Sequence, residues 1–341
     1  MNKANLEIDL VAAQLDESVF TRNMQERGIR FRELSGNQKK VWKNHQLFRK
    51  LLRERNYDVV HLNMFQGMTM YYAHLAKLAG VPVRIAHSHN TDLRQSKTRA
   101  IKLWLHHTFS KRFAADATDF WACSENAAKF MFPKETLEAK GFTFIPNGIR
   151  TERFRFDVAT RACIRKELGL EHEFVVGNVG RLCYQKNQEF LLDVFEQLLK
   201  ERPDSRLLLV GEGESREFLE EKAKTLGIHE KVLFYGVSDS VERLFWAMDV
   251  FAFPSRFEGL GIVAVEAQTS GLPVVCSEFV PREAAVTKLA QTIELRAGSA
   301  VWAKALLKAG EYARHPEAQD AVRQAGFDIR NVAELVQRTY C

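Results

Sequence analysis

Cysteine is sparse and scattered in this 341-residue chain. Cys123, Cys163, Cys183, Cys276 and Cys341 form neither a C-x-x-C pair nor a His-paired spacing. A secreted disulfide framework and a structural zinc site are therefore not expected, and a reducing, cytoplasmic setting is. Long apolar runs are missing as well. No segment reaches the ~18 to 20 continuous apolar residues of a membrane-spanning helix. Near the start, Glu7 and Asp9 interrupt the stretch in which a secretory signal would need an unbroken apolar region. The chain also has no low-complexity tract and no repeat of solenoid period. Glycine is missing from one telling place. The first strand candidate, 6–12, runs into Asp16, Glu17 and Ser18 with no glycine, and the first glycine is Gly28.

What is present is an ordinary globular composition, 46% hydrophobic and 27% charged. The length suits two domains and a core that needs no covalent staples. The net charge of +6 is uneven. Residues 1–150 carry 24 Lys and Arg against 14 Asp and Glu, whereas 151–341 carry 25 against 29. A basic first half suits nucleic acid, an anionic membrane or a phosphorylated substrate, and charge alone does not choose among them.

Short runs rich in Val, Ile, Leu and Phe alternate with amphipathic stretches. LEIDLVAA, DVVHLN, RIAHSH, FWACS and FTFIPN read as strands of the first half. VVGNVG, RLLLVG, KVLFYG, VFAFPS and PVVCS read as strands of the second, with helical patterns over 187–201 and 216–226 between them. This rhythm predicts an α/β fold of two doubly wound, mainly parallel domains. The boundary is expected after the turn Pro146-Asn147-Gly148, giving domains over 1–150 and 151–325. The amphipathic stretch within 326–341 reads as a terminal helix packing back on the first domain.

Two segments of the second half carry candidate chemistry. In FEGLGIVAVEA, Glu258 precedes Gly259, Leu260 and Gly261, and Glu266 follows eight residues after Glu258. Glycines there let the backbone approach a ligand at a helix start, whose free N–H groups attract anions. Two carboxylates flanking that start can grip hydroxyls at both ends of a sugar–diphosphate–nucleoside. In GRLCYQKN, Arg181 and Lys186 lie on a loop leaving the carboxyl end of a strand, where open α/β sheets bind ligands. Two cations there suit a diphosphate. Each segment also has a plainer reading, an ordinary βα turn and a solvated basic loop.

Taken in order, GRLCYQKN, LLLVGEGE, VLFYGV and PSRFEGLGIVAVEAQTSGLPVV resemble glycosyltransferase family 4. That is a family of retaining enzymes of the GT-B fold, many of them in bacterial polysaccharide and lipopolysaccharide assembly. The resemblance covers nearly all of 57–341. It implies that Arg181 and Lys186 bind the donor diphosphate, that Glu258 contacts the donor sugar and that Glu266 grips the ribose. It places Gly259, Leu260 and Gly261 beside sugar and phosphates, and Val237 beside the base. In IAHSHNT, His89 is the preferred match to the histidine facing the donor sugar, with His87 second; a capping or core histidine is the plainer reading. Ser124, Glu125, Asn147 and Gly148 match other cleft positions, and each also suits a cap or turn.

The resemblance further implies transfer of a hexosyl group from a nucleoside diphosphate sugar, a uridine diphosphate sugar first, to a hydroxyl of a glycan or lipid-linked acceptor. The leaving phosphate then helps deprotonate the acceptor, so no dedicated base is expected. No Asp-x-Asp motif is placed to bind a metal, and no metal or other cofactor is expected. The basic, aromatic stretch 94–112 suits docking on the inner face of the cytoplasmic membrane. Its plainer reading is a solvated basic helix with Trp104 and Leu105 in the core. Family members usually open with a strand and a Gly-rich turn, and this chain resembles them only from their second strand onward; either the start given is late or the turn is absent, and in the second case the first sheet loses a central strand. Three rivals stand beside transfer. They are a nucleotide-sugar-binding subunit or truncated remnant without catalysis, a sugar-nucleotide 2-epimerase, and a nucleic-acid binder. The last lacks any stacking motif or recognition helix, so no nucleic-acid partner is expected.

Overall fold

A computed structural model describes residues 6–15, 19–93, 96–315 and 317–340. Asp16, Glu17 and Ser18 of the glycine-free turn, Arg94 at the head of the basic stretch, and Cys341 lie outside them. Twelve strands are assigned among the described residues. They are β1 (Asp9–Ala12), β2 (Arg30–Glu33), β3 (Val59–Met64), β4 (Val83–Ser88), β5 (Asp119–Ala122), β6 (Thr143–Phe144), β7 (Phe174–Val179), β8 (Ser205–Val210), β9 (Val232–Gly236), β10 (Val250–Phe253), β11 (Val274–Ser277) and β12 (Ala290–Ile293). Every strand pairing between them is parallel.

The second lobe is a six-stranded sheet of order β12-β11-β10-β7-β8-β9. Helices cover both of its faces, so β7, β10 and β11 are buried at every position and are almost wholly apolar, with Asn178 and Ser277 the polar exceptions. The chain adds β8 and β9 on one side of β7, then returns to build β10, β11 and β12 on the other. The order therefore reverses between β7 and β10, and a crevice opens beyond the carboxyl ends of these two strands. GRLCYQKN follows β7 and FEGLGIVAVEA follows β10, so both candidate segments meet at this switch point. The helices read from periodicity form at Gln188–Glu201 and Arg216–Thr225.

The first lobe holds a four-stranded sheet, β3-β4-β5-β6. β1 and β2 pair only with each other among the described residues. A cavity of about 310 Å³ separates the two sheets, lined by β1 (Leu10, Val11), β3 (Val60, Leu62) and the helix Val41–Glu54 (Phe48, Leu52). The Tyr57 hydroxyl crosses beside it to Asp9 at 2.7 Å. β1 and β2 therefore stand apart from the four-stranded sheet, across the cavity from β3.

The terminal helix, Ile329–Tyr340, lies on the first lobe. Val332 is buried with Ile85, Trp121 and Ile145, and Val336 and Tyr340 pack against that cluster. At its start, Ile149 and Asp328 form an isolated parallel bridge, and the Thr151 hydroxyl bonds the Asp328 carboxylate at 2.5 Å. One alternative fails. In the helix Arg99–Phe113, Trp104 is 65% exposed and Leu105 only half-buried, so neither sits in the core. The helix is held instead by His106 and Ser110, which bond the Phe130 and Met131 carbonyls.

Candidate active site

The loop after β7 is shaped by Asn187, the one non-glycine residue with positive φ among those described, at φ 57°. Asparagine tolerates this left-handed geometry. Asn187 caps the helix Gln188–Glu201, and its amide donates to the Pro254 carbonyl at 3.0 Å, tying the β7 loop to the β10 loop. Gln185 reinforces the tie through the Phe257 carbonyl at 2.9 Å.

Lys186 and Glu258 meet inside this junction. The ammonium lies 2.7 Å from the carboxylate, with side chains 15% and 7% exposed, and 4.8 Å from the Phe253 ring centroid. A buried carboxylate is tolerated because a cation and the Gln185 amide face it. Arg181 lies further out, mostly exposed, 2.9 Å from Glu214. The two cations expected on one diphosphate are therefore each engaged by a carboxylate.

Gly261 takes φ 88° and caps the helix Ile262–Thr269. Glu266 lies one turn in, and burial pushes its carboxyl up to about 7, with Glu242 raising it further and Arg153 opposing. Leu260 is buried, while Val237, after β9, is exposed.

The first lobe meets this site directly. The Thr91 hydroxyl donates to the Glu258 carbonyl at 2.9 Å, and the Ser124 hydroxyl to the Gly259 carbonyl at 2.5 Å. Ser124 also caps the helix Glu125–Met131 by accepting from the Ala127 N–H, so its cap and cleft readings both hold geometrically. The Glu125 N–H donates to Glu283 at 2.7 Å, and Arg282 pairs with the Glu125 carboxylate at 2.7 Å. His89 lies 2.9 Å from the Asn63 amide oxygen and also hydrogen-bonds Asn147. Burial pulls its pKa down, and Asn147 partly offsets this. The His87 ring is buried beside it, centroids 4.0 Å apart. Of the sequence candidates, His89, Asn147, Glu258 and Gly259 share this seam with Lys186. Arg181, Val237 and Glu266 lie on the second lobe around it.

Thr91, Gln185, Asn63 and His61 were not singled out from sequence. For the last two a signal existed. In DVVHLN, polar His61 and Asn63 stand two apart in an apolar strand, which puts both on one face.

Two family models match the chain, Glycosyltransferase Family 4 over residues 1–153 and Glycosyl transferases group 1 over 160–297. A two-lobed GT-B fold with its crevice at a sheet switch point defines the class, and the chain belongs to the family 4 type of GT-B glycosyltransferases. It is 32% identical over 273 residues to the putative glycosyltransferase EpsF of Bacillus subtilis (strain 168), covering 79% of this chain and 71% of that protein. It is 32% identical over 239 residues to the UDP-Gal:alpha-D-GlcNAc-diphosphoundecaprenol alpha-1,3-galactosyltransferase of Escherichia coli, covering 67% of this chain and 60% of that one. Anabaena Alr3699/HepE in complex with UDP-glucose shares the fold with a TM-score of 0.75 at 21% identity, over 97% of this chain and 90% of that one. Among the described residues no helix is long and apolar enough to cross a membrane.

Proposed function

We propose that this glycosyltransferase moves a hexosyl group from a uridine diphosphate sugar to a hydroxyl of a glycan or lipid-linked acceptor, with retention at the anomeric carbon. The observation that carries the reading is the junction of the β7 and β10 loops, where Lys186, Glu258 and the helix start at Gly261 converge at the switch point. Lys186 and Arg181 bind the diphosphate, exchanging their present carboxylate partners for it, and stabilise its departure with the N–H groups at Gly261. Glu258 and His89 hold the sugar, Glu266 holds the ribose and Val237 flanks the base. His87, Asn147, Gly259 and Leu260 complete the donor pocket. The lobes close over the donor and exclude water, which suppresses hydrolysis. The leaving phosphate takes the acceptor proton, so no metal and no separate base is used.

Two likenesses support the donor and acceptor classes. The E. coli relative is named for a UDP-Gal donor and a diphosphoundecaprenol acceptor, and HepE holds UDP-glucose. The exposed Ile101 and Trp104, with Lys102, Lys111 and Arg112 on the same helix, support contact with an anionic inner membrane face, where a lipid-linked acceptor resides.

Binding and hydrolysis of a panel of nucleoside diphosphate sugars test the reading. One uridine diphosphate sugar is expected to bind and to release free diphosphate slowly, and Glu266→Ala and Lys186→Ala are expected to abolish both. Activity lost to a chelator, with folding intact, would contradict the metal-free mechanism. The split first sheet favours one rival, a nucleotide-sugar-binding subunit without catalysis. Donor binding with no turnover on any lipid acceptor would select it.

A further inference from the structure

A line of polar side chains runs from the terminal helix into the cleft. The Tyr340 hydroxyl lies 2.5 Å from His61 Nδ1, and His61 Nε2 lies 3.0 Å from His87 Nδ1. The two imidazoles are nearly parallel, at 16°, and the His87 ring then meets that of His89. Trp121 walls both rings edge-on, at 5.0 Å from His61 and 5.7 Å from His87. The strands explain the alignment. β3 and β4 run parallel with His61 opposite Ile85 and Asn63 opposite His87, so the two histidines are diagonal neighbours on one face.

Both histidines are held neutral by burial, His61 down to about 4 and His87 lower still. A neutral imidazole has one N–H and one bare nitrogen, so the line has two proton arrangements. In one, Tyr340 donates to His61 Nδ1, His61 Nε2–H donates to His87 Nδ1, and His87 is left with a proton on Nε2. In the other, each bond is reversed and His87 Nε2 is bare. The first arrangement pairs the phenol, a better donor than acceptor, with a bare imidazole nitrogen, the stronger acceptor of the two. It is therefore the stable one. Its terminal atom, His87 Nε2, is buried with no hydrogen-bond partner among the described residues. A buried donor left unpaired is costly, and such atoms call for an explanation.

We propose that Tyr340, acting through His61, is a positioning residue that fixes His87 in its Nε2–H tautomer, so that His87 donates a hydrogen bond to a hydroxyl or phosphate oxygen of the bound sugar nucleotide. The second half of this statement rests on the donor-binding reading above; the tautomer does not. The far end of the chain thereby sets the hydrogen-bonding polarity of the cleft. The helix itself is placed by Val332 and Val336 and by the Ile329 N–H on the Ile149 carbonyl, so loss of the Tyr340 hydroxyl leaves its packing intact.

The test uses full-length protein labelled with ¹⁵N-histidine. In the wild type, His87 Nε2 is expected to carry the proton and Nδ1 to be bare. In Tyr340→Phe and His61→Phe, His87 is expected to become a mixture of tautomers. Each variant should lose about two- to threefold in kcat/KM for the donor, the reciprocal of the fraction left in the Nε2–H form. The double variant should lose no more than either single one. Tyr340→Phe should remain folded, with a thermal midpoint lowered by no more than the loss of one hydrogen bond. An unchanged His87 tautomer in Tyr340→Phe, or a protonated Nδ1 in the wild type, overturns the proposal. If no sugar nucleotide binds the wild type while the tautomer still depends on Tyr340, the donor-binding reading fails, and with it the role assigned to the Nε2–H.

Discussion

The carbonyl oxygen of His89 stands 2.1 Å from the point where a Cβ on Gly259 would lie. The two lobes therefore touch backbone to backbone at the centre of the cleft, which no side chain at 259 would permit. The Gly259 carbonyl also accepts from Ser124 in the first lobe, so this peptide is gripped from both sides. Gly259→Ala is expected to hold the lobes apart and to lower kcat/KM by about 10- to 100-fold, the usual consequence of a small misplacement of reacting groups. Its thermal midpoint should change little, because the contact joins the surfaces of two lobes and lies outside both sheets. Steady-state kinetics beside thermal melts check this, and full activity in the variant would contradict a closed working state.

Lys186 and Glu258 should behave as a buried pair. Lys186→Ala leaves the carboxylate in an apolar junction without its cation, at a cost of about 3–5 kcal/mol. Lys186→Met combined with Glu258→Gln should regain most of that stability and none of the activity. Urea unfolding of the two single variants and the double one measures the coupling. Independent, additive losses would mean that the pair contributes nothing as a pair.

Glu266 gives the protein a stability term that falls with rising pH. Its folded pKa, about 7, lies above the ordinary carboxyl value of 4.5 because burial disfavours the charge. The folded state thus holds the proton more tightly than the unfolded one, and the stabilisation is complete below 4.5 and lost as pH rises through 7. The difference in unfolding free energy between wild type and Glu266→Gln should drop by about 3 kcal/mol across that window. A difference independent of pH would show that water reaches the carboxylate.

The split first sheet should be visible in hydrogen exchange. β3 pairs with β4 on one edge and faces the cavity on the other, whereas β7 is paired on both sides. Amides of β7 should approach the protection of global unfolding, about 5–15 kcal/mol, while alternate amides of β3 exchange through much smaller openings. Uniform protection along β3 would mean that its outer edge is covered in solution.

The sequence by itself determined the parallel α/β plan and marked the two segments that meet at the switch point. Mainly apolar runs such as VVGNVG suit a sheet covered on both faces, and glycines at 259 and 261 mark a close backbone approach at a helix start. These are local properties, carried by a few adjacent residues. The gap between β1 and β3 was not legible, since a turn without glycine does not say which strands pair. Neither was the placement of Trp104. A tryptophan in a basic helix has the same pattern whether its ring enters the core or solvent, and only the packing of His106 and Ser110 turned it outward. Tertiary structure alone also decided which groups meet. Lys186 and Glu258 are 72 residues apart, and His61 and Tyr340 are 279 apart. No periodicity carries information over such separations. The partners of each charge and each ring nitrogen are set by strand order and register, which exist only once the sheets have formed.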